Sequence, residues 1–136
     1  MKQLIIILSV LLAVSATSCN ENAPSEMKAE VKLVTPEEMQ TLLELDDIQL
    51  VDVRTPEEYQ EGYIDNSQNI DFRSPTFDED IIKLDKTKPV ILYCRSGGRS
   101  AKCAAKLKDA GFVKIYDLDG GITKWEFEGL DIETLE

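Results

Sequence analysis

An extended, apolar run followed at once by a helix start occurs twice in this chain, and that repeat narrows the folds open to it. The run at 31–34 leads into Thr35-Pro36-Glu37-Glu38, and the run at 48–53 leads into Thr55-Pro56-Glu57-Glu58. In both, threonine is an N-cap, proline takes a first helical position that needs no N–H, and two acids complement the helix dipole. The predicted first helix, 36–45, carries Met39, Leu42, Leu43 and Leu45 as its apolar stripe. Gly62 ends the second, a short extended segment lies within 64–72, and Ser74-Pro75 precedes a helical stretch with Phe77, Ile81, Ile82 and Leu84 toward a core. The clearest central strand is 89–93, Pro-Val-Ile-Leu-Tyr, because an unbroken apolar run suits a strand covered on both faces. Beyond a glycine loop, Ser100, Cys103 or Ala104, Leu107 and Ala110 recur at helical spacing, Lys102, Lys106 and Lys108 turn outward, and Gly111 follows the helix end. A last strand at 112–118 stops at Gly120-Gly121, and 122–125 forms a helical turn. Such alternation predicts an α/β fold: a mainly parallel central sheet of about five strands with helices on both faces.

The N-terminus follows different rules. Lys2 precedes an apolar run at 4–14, too short for comfortable membrane spanning, and small residues then lead to Cys19. Ala16-Thr17-Ser18-Cys19 resembles a bacterial lipobox. That resemblance implies a signal peptide at 1–18, lipidation of Cys19 and a polar tether at 19–30. It further implies an exported protein of the cell envelope, anchored to the membrane by lipid and facing the periplasm or exterior.

Charge and residue inventory then remove whole classes of function. With 26 acidic against 15 basic residues the formal charge is −11, the wrong sign for nucleic-acid phosphates. Histidine is absent, so there is no imidazole base and no Cys-His or Ser-His pair. Cysteines at 19, 94 and 103 form neither a disulfide framework nor a CxxC metal site, and no metal or cofactor is expected. What remains is Cys94, at the carboxyl end of the central strand, followed by Arg95-Ser96-Gly97-Gly98-Arg99-Ser100. Two glycines let successive N–H groups point inward, the next helix adds its positive dipole end, and two arginines add full charges. A thiol so placed ionises below its free value of about 8.5 without a base.

Cys94-Arg95-Ser96-Gly97-Gly98-Arg99-Ser100 resembles the active-site loop of the rhodanese family. Leu50-Val51-Asp52-Val53-Arg54-Thr55-Pro56-Glu57-Glu58-Tyr59 with Gly62-Tyr63-Ile64 is similar to the family's upstream signature, although Tyr63 stands where histidine is usual. Gly120-Gly121 with Trp125 is similar to the downstream one. The resemblance implies one rhodanese-like domain over 31–136 and a sulfurtransferase in which Cys94 carries sulfane sulfur as a persulfide. Its partners would be a small sulfur donor such as thiosulfate and a thiophilic acceptor, cyanide in vitro and a thiol or protein in vivo. Arg99 would hold the donor anion and Arg95 recruit it at the rim, while Ser96, Gly97, Gly98 and Ser100 form the cradle. Two other readings share the resemblance: a persulfide carrier or relay for a partner protein, and a non-catalytic binding module. A tyrosine-phosphatase-like loop is excluded by length, since only four residues separate Cys94 from Arg99 where such loops have five. Asp52 and Arg54 read equally as supports of the loop or as a strand end and a surface charge. Cys103 reads as core rather than as a resolving thiol, and Trp125 as packing.

Overall fold

The computed structural model describes residues 29–135; the expected signal segment, Cys19 and most of the expected tether lie outside them. Strand β1 is Glu30–Val34, so this strand begins at the expected tether's last residue, where the Glu30 N–H donates to Val113 O at 3.0 Å. Then follow α1 (Pro36–Leu43), β2 (Gln49–Asp52), α2 (Pro56–Glu61), β3 (Gln68–Asn69), α3 (Phe77–Ile81), β4 (Val90–Tyr93), α4 (Gly98–Asp109), β5 (Lys114–Leu118) and α5 (Gly121–Phe127). The five strands form one sheet in the order β1-β5-β4-β2-β3, and every pairing is parallel.

Strand period sets the two layers. Val51, Val53, Val90, Leu92 and Cys94 face α3 and α4, where Phe77, Cys103, Ala104 and Leu107 meet them. Leu50, Ile91 and Tyr93 face the other way, onto Met39 of α1 and Ile122 and Trp125 of α5. Trp125 is indeed packing: it is buried and its indole N–H donates to Asp131 O at 2.8 Å.

Both Thr-Pro-Glu-Glu starts form complete capping boxes. Thr35 and Thr55 accept from the N–H of Glu38 and Glu58, whose carboxylates accept in return from the threonine N–H. Two apolar residues depart from the predicted stripes. Leu45 is exposed because α1 stops at Leu43, and Ile82 is exposed because α3 is only five residues long and Ile82 is its C-cap. Tyr63 stacks on Tyr59 with ring centroids 4.4 Å apart and pairs antiparallel with Glu133.

Topology places the chemistry. β2 and β4 are neighbours, with Asp52 level with Tyr93, yet the chain leaves β2 toward β3 and β4 toward β5. Their carboxyl ends therefore border a switch point, the place where open α/β sheets bind ligands.

Candidate active site

Cys94 follows β4 directly, and the next three residues turn the chain into α4. Gly97, with φ of +110°, is the left-handed residue that makes the turn, a conformation costly for any side chain. The turn brings the Gly97 N–H to 3.1 Å from Cys94 Sγ. Ser100, fully buried one turn into α4, places Oγ 3.5 Å from Sγ and donates its own proton to Gly97 O at 3.2 Å.

Burial of the Cys94 thiol opposes its ionisation. Hydrogen bonds that the ionised sulfur accepts from the Ser100 hydroxyl and from the amides of Ser100, Gly97 and Ser96 outweigh that penalty and hold the thiol below its ordinary value. The sequence reading put the arginine charges alongside the dipoles; in the folded chain these short hydrogen bonds come first.

The reason lies in Glu58, which in the sequence alone is only part of a helix start. Its carboxylate grips Arg99 with two bonds, 2.6 and 2.8 Å long, while still closing the capping box on the Thr55 N–H at 3.1 Å. Arg99 is thus a neutralised, largely buried member of the loop's support. Arg95 is different: its guanidinium stands at the exposed rim, 4.0 Å from Glu58. The signal for Glu58 was present in Thr55-Pro56-Glu57-Glu58, but its partner lies 41 residues away.

That pairing gives a pH prediction. The Arg99 guanidinium is the main cause that holds the Glu58 carboxyl down at about 2, against an ordinary 4.5. A depressed carboxyl stabilises the fold above its unfolded value and loses that contribution as pH falls toward its folded one. Urea unfolding should therefore show Glu58→Gln less stable than the parent at pH 6, with the gap closing between about 4.5 and about 2. A gap constant across that window would disprove the assignment.

Asp52 and Arg54 come together as a buried pair. The Arg54 Nε–H donates to both Asp52 oxygens at 3.0 Å, Nη2 reaches Asp52 Oδ2 and Gly62 O at 2.6 Å each, and Asp52 Oδ1 also accepts from the Arg54 backbone N–H. Arg54 is 6% exposed, so it is not a surface charge. The pair locks the end of β2 beside the end of β4, where the Val53 N–H donates to Tyr93 O at 2.9 Å.

Gly120-Gly121 supports the loop from the far side. The Ile122 and Thr123 N–H groups donate to the carbonyls of Cys94 and Arg95 at 2.9 and 3.1 Å. A Cβ on Gly121 would meet the Cys94 carbonyl oxygen and come within 2.6 Å of the Arg95 carbonyl carbon, so only glycine lets α5 approach this closely.

A cleft of about 220 Å³ opens beside the loop, lined by Arg54, Glu58, Glu61, Arg95, Thr123 and Glu126. Its charges are of both signs, not purely basic. A larger recess of about 670 Å³ lies by Trp125 and Leu50 and is lined by none of the loop residues. Cys103 is free and fully buried, and burial pushes its thiol up to about 12. Among the described residues no three His, Cys, Asp or Glu side chains gather as metal ligands.

Comparison with known proteins agrees with this geometry. A model described as "Rhodanese-like domain" matches residues 35–128. A sulfurtransferase of Allochromatium vinosum is 34% identical over 93 residues, covering 68% of this chain and 85% of the relative. The thiosulfate sulfurtransferase GlpE of Pseudomonas savastanoi pv. phaseolicola is 36% identical, over 71% of this chain and 88% of that protein. The solution structure of a polysulfide-sulfur transferase homodimer from Wolinella succinogenes superposes with a TM-score of 0.67 at 33% identity, covering 81% of this chain and 83% of that one. Other curated relatives are much longer, and the chain spans only 25 to 34% of their length.

Proposed function

Because this chain belongs to the rhodanese family, we propose that it is a sulfurtransferase whose Cys94 thiolate carries sulfane sulfur from thiosulfate or a similar donor to a thiophilic acceptor. The observation that carries the proposal is the Cys94 sulfur itself, held by the Gly97 amide and the Ser100 hydroxyl in a chain without histidine. Hydrogen bonds rather than a base keep such a sulfur anionic. In the first half-reaction the thiolate attacks the outer sulfur of thiosulfate; an S–S bond forms, the donor's S–S bond breaks, and sulfite leaves with that electron pair. In the second, the acceptor attacks the outer sulfur of the persulfide, and Cys94 regains its thiolate as that S–S bond breaks. With cyanide the product is thiocyanate. Arg95, exposed at the rim, draws the anionic donor in; Arg99 and Glu58 keep the loop in shape. The amides of Ser96, Gly97 and Gly98, with the Ser100 hydroxyl, stabilise negative charge on sulfur. Asp52 and Arg54 hold the neighbouring strand end.

Intact-mass measurement after thiosulfate treatment should show about 32 Da added at Cys94, the mass of one sulfur atom, removed again by cyanide with one thiocyanate released. An unmodified Cys94 under excess donor would end the proposal.

The same proposal covers location. The lipobox-like Ala16-Thr17-Ser18-Cys19 supports cleavage before Cys19 and its lipidation, which would hold the domain in the envelope. A Cys19→Ser chain is then expected in the soluble rather than the membrane fraction; unchanged membrane retention refutes the anchor.

A further inference from the structure

Asp117 sits where an apolar residue would be expected. On β5, Ile115 and Asp117 both face α4: Ile115 packs into that core, and Asp117 places a carboxyl there, only 4% exposed. Its Oδ1 is buried without any hydrogen-bond partner. A buried, unsatisfied carboxyl oxygen is costly, and none of the roles described so far uses it.

Its neighbours tie it to the loop. In the β4–β5 register Asp117 lies beside Leu92, the residue two before Cys94 on the same face. From α4 the Ser100 hydroxyl, the Cys103 thiol and, at the rim of a small groove, Lys108 face it. β1 contributes only Val31 and Leu33, and the Asp119 carboxylate further along is held by Lys124 at 2.6 Å. Burial raises the Asp117 carboxyl to about 6, against the opposing pull of the Ser100 hydroxyl.

Ser100 has a single hydroxyl hydrogen. It points to Gly97 O while the Cys94 thiol donates to Oγ. Once Cys94 ionises, its sulfur has no proton to give and needs that hydrogen. An ionised Asp117 competes for it and adds a second negative charge beneath the loop. A protonated Asp117 donates to Ser100 Oγ and leaves the serine hydrogen free for sulfur.

We propose that Asp117 is a positioning residue for the sulfur-carrying thiol, acting through the Ser100 hydroxyl to set how readily Cys94 becomes and stays a thiolate.

The inference rests on Cys94 being the sulfur carrier, but its readout needs no sulfur donor. The rate of carbamidomethylation by iodoacetamide, followed by mass spectrometry at the Cys94 peptide of the full chain, is measured against pH. Asp117→Asn, which keeps a donor and loses the charge, should shift the curve to lower pH, with alkylation about threefold faster or more on its rising limb, a shift of half a pKa unit. Asp117→Leu suits the apolar surroundings and should shift it in the same direction by less, since it offers Ser100 no hydrogen. Curves that coincide with the parent overturn the proposal, and equal shifts from both variants overturn the route through Ser100. Failure of persulfide loading with these shifts intact would instead count against the sulfurtransferase reading.

Discussion

Replacing Cys94 by alanine is expected to bring thiocyanate formation from thiosulfate and cyanide down to the uncatalysed background while the protein stays folded. Among the described residues no other group can take over the attack. Cys103 is fully buried with its thiol pushed up to about 12, and the chain has no histidine to activate a hydroxyl. The structural cost is small by comparison: alanine keeps the Cβ of this small side chain in the core, and what is lost with the sulfur is a few hydrogen bonds, worth about 1 kcal/mol each. Cys94→Ser should be as inactive as Cys94→Ala, because a hydroxyl in the same cradle does not ionise near neutral pH. Arg95→Ala, which changes only an exposed rim charge, should raise the donor concentration needed and spare the fold. Steady-state rates with circular dichroism on the same samples decide this. A folded Cys94→Ala protein that still produces thiocyanate would refute the central role of the thiol.

The largest loss of stability is expected from Asp52→Ala. Asp52 is fully buried and takes three side-chain bonds from Arg54, itself almost fully buried. Removing the carboxylate leaves a guanidinium with one remaining acceptor among the described residues, Gly62 O. Breaking a buried pair from one side costs about 3–5 kcal/mol, a large share of the roughly 5–15 kcal/mol that holds a domain together. Urea denaturation should show the midpoint falling steeply. Replacing both partners by apolar residues, as in Asp52→Leu with Arg54→Met, should recover much of the loss, since no buried charge is then stranded. A small effect from Asp52→Ala alone would mean that water reaches Arg54, contrary to its burial.

Legibility from sequence followed the range of each interaction. Both capping boxes involve residues three apart, and both were readable from Thr-Pro-Glu-Glu. The Cys94 loop is likewise local: Sγ is held by groups three and six residues ahead. Glu58 with Arg99, Asp117 beneath Ser100, and the α5 amides on the Cys94 and Arg95 carbonyls all join segments that only the sheet order brings together. Ile82 and Leu45 are exposed despite their helical spacing because periodicity says which face is apolar, not where a helix stops.

Sequence alone therefore determined the alternation of strands and helices, their starts, and the sulfur at the end of β4 with glycines to curl the loop around it. These depend on backbone conformation and hydrogen bonds within a few residues. Tertiary structure decided how charge is distributed around that sulfur. Of the loop's two arginines, one is gripped by Glu58 and the other stands exposed at the rim, 4.0 Å from the same carboxylate, and a carboxyl is buried behind the serine that touches the thiol. Charges act through space, and in a low-dielectric interior their effect depends on which distant segments the fold sets side by side.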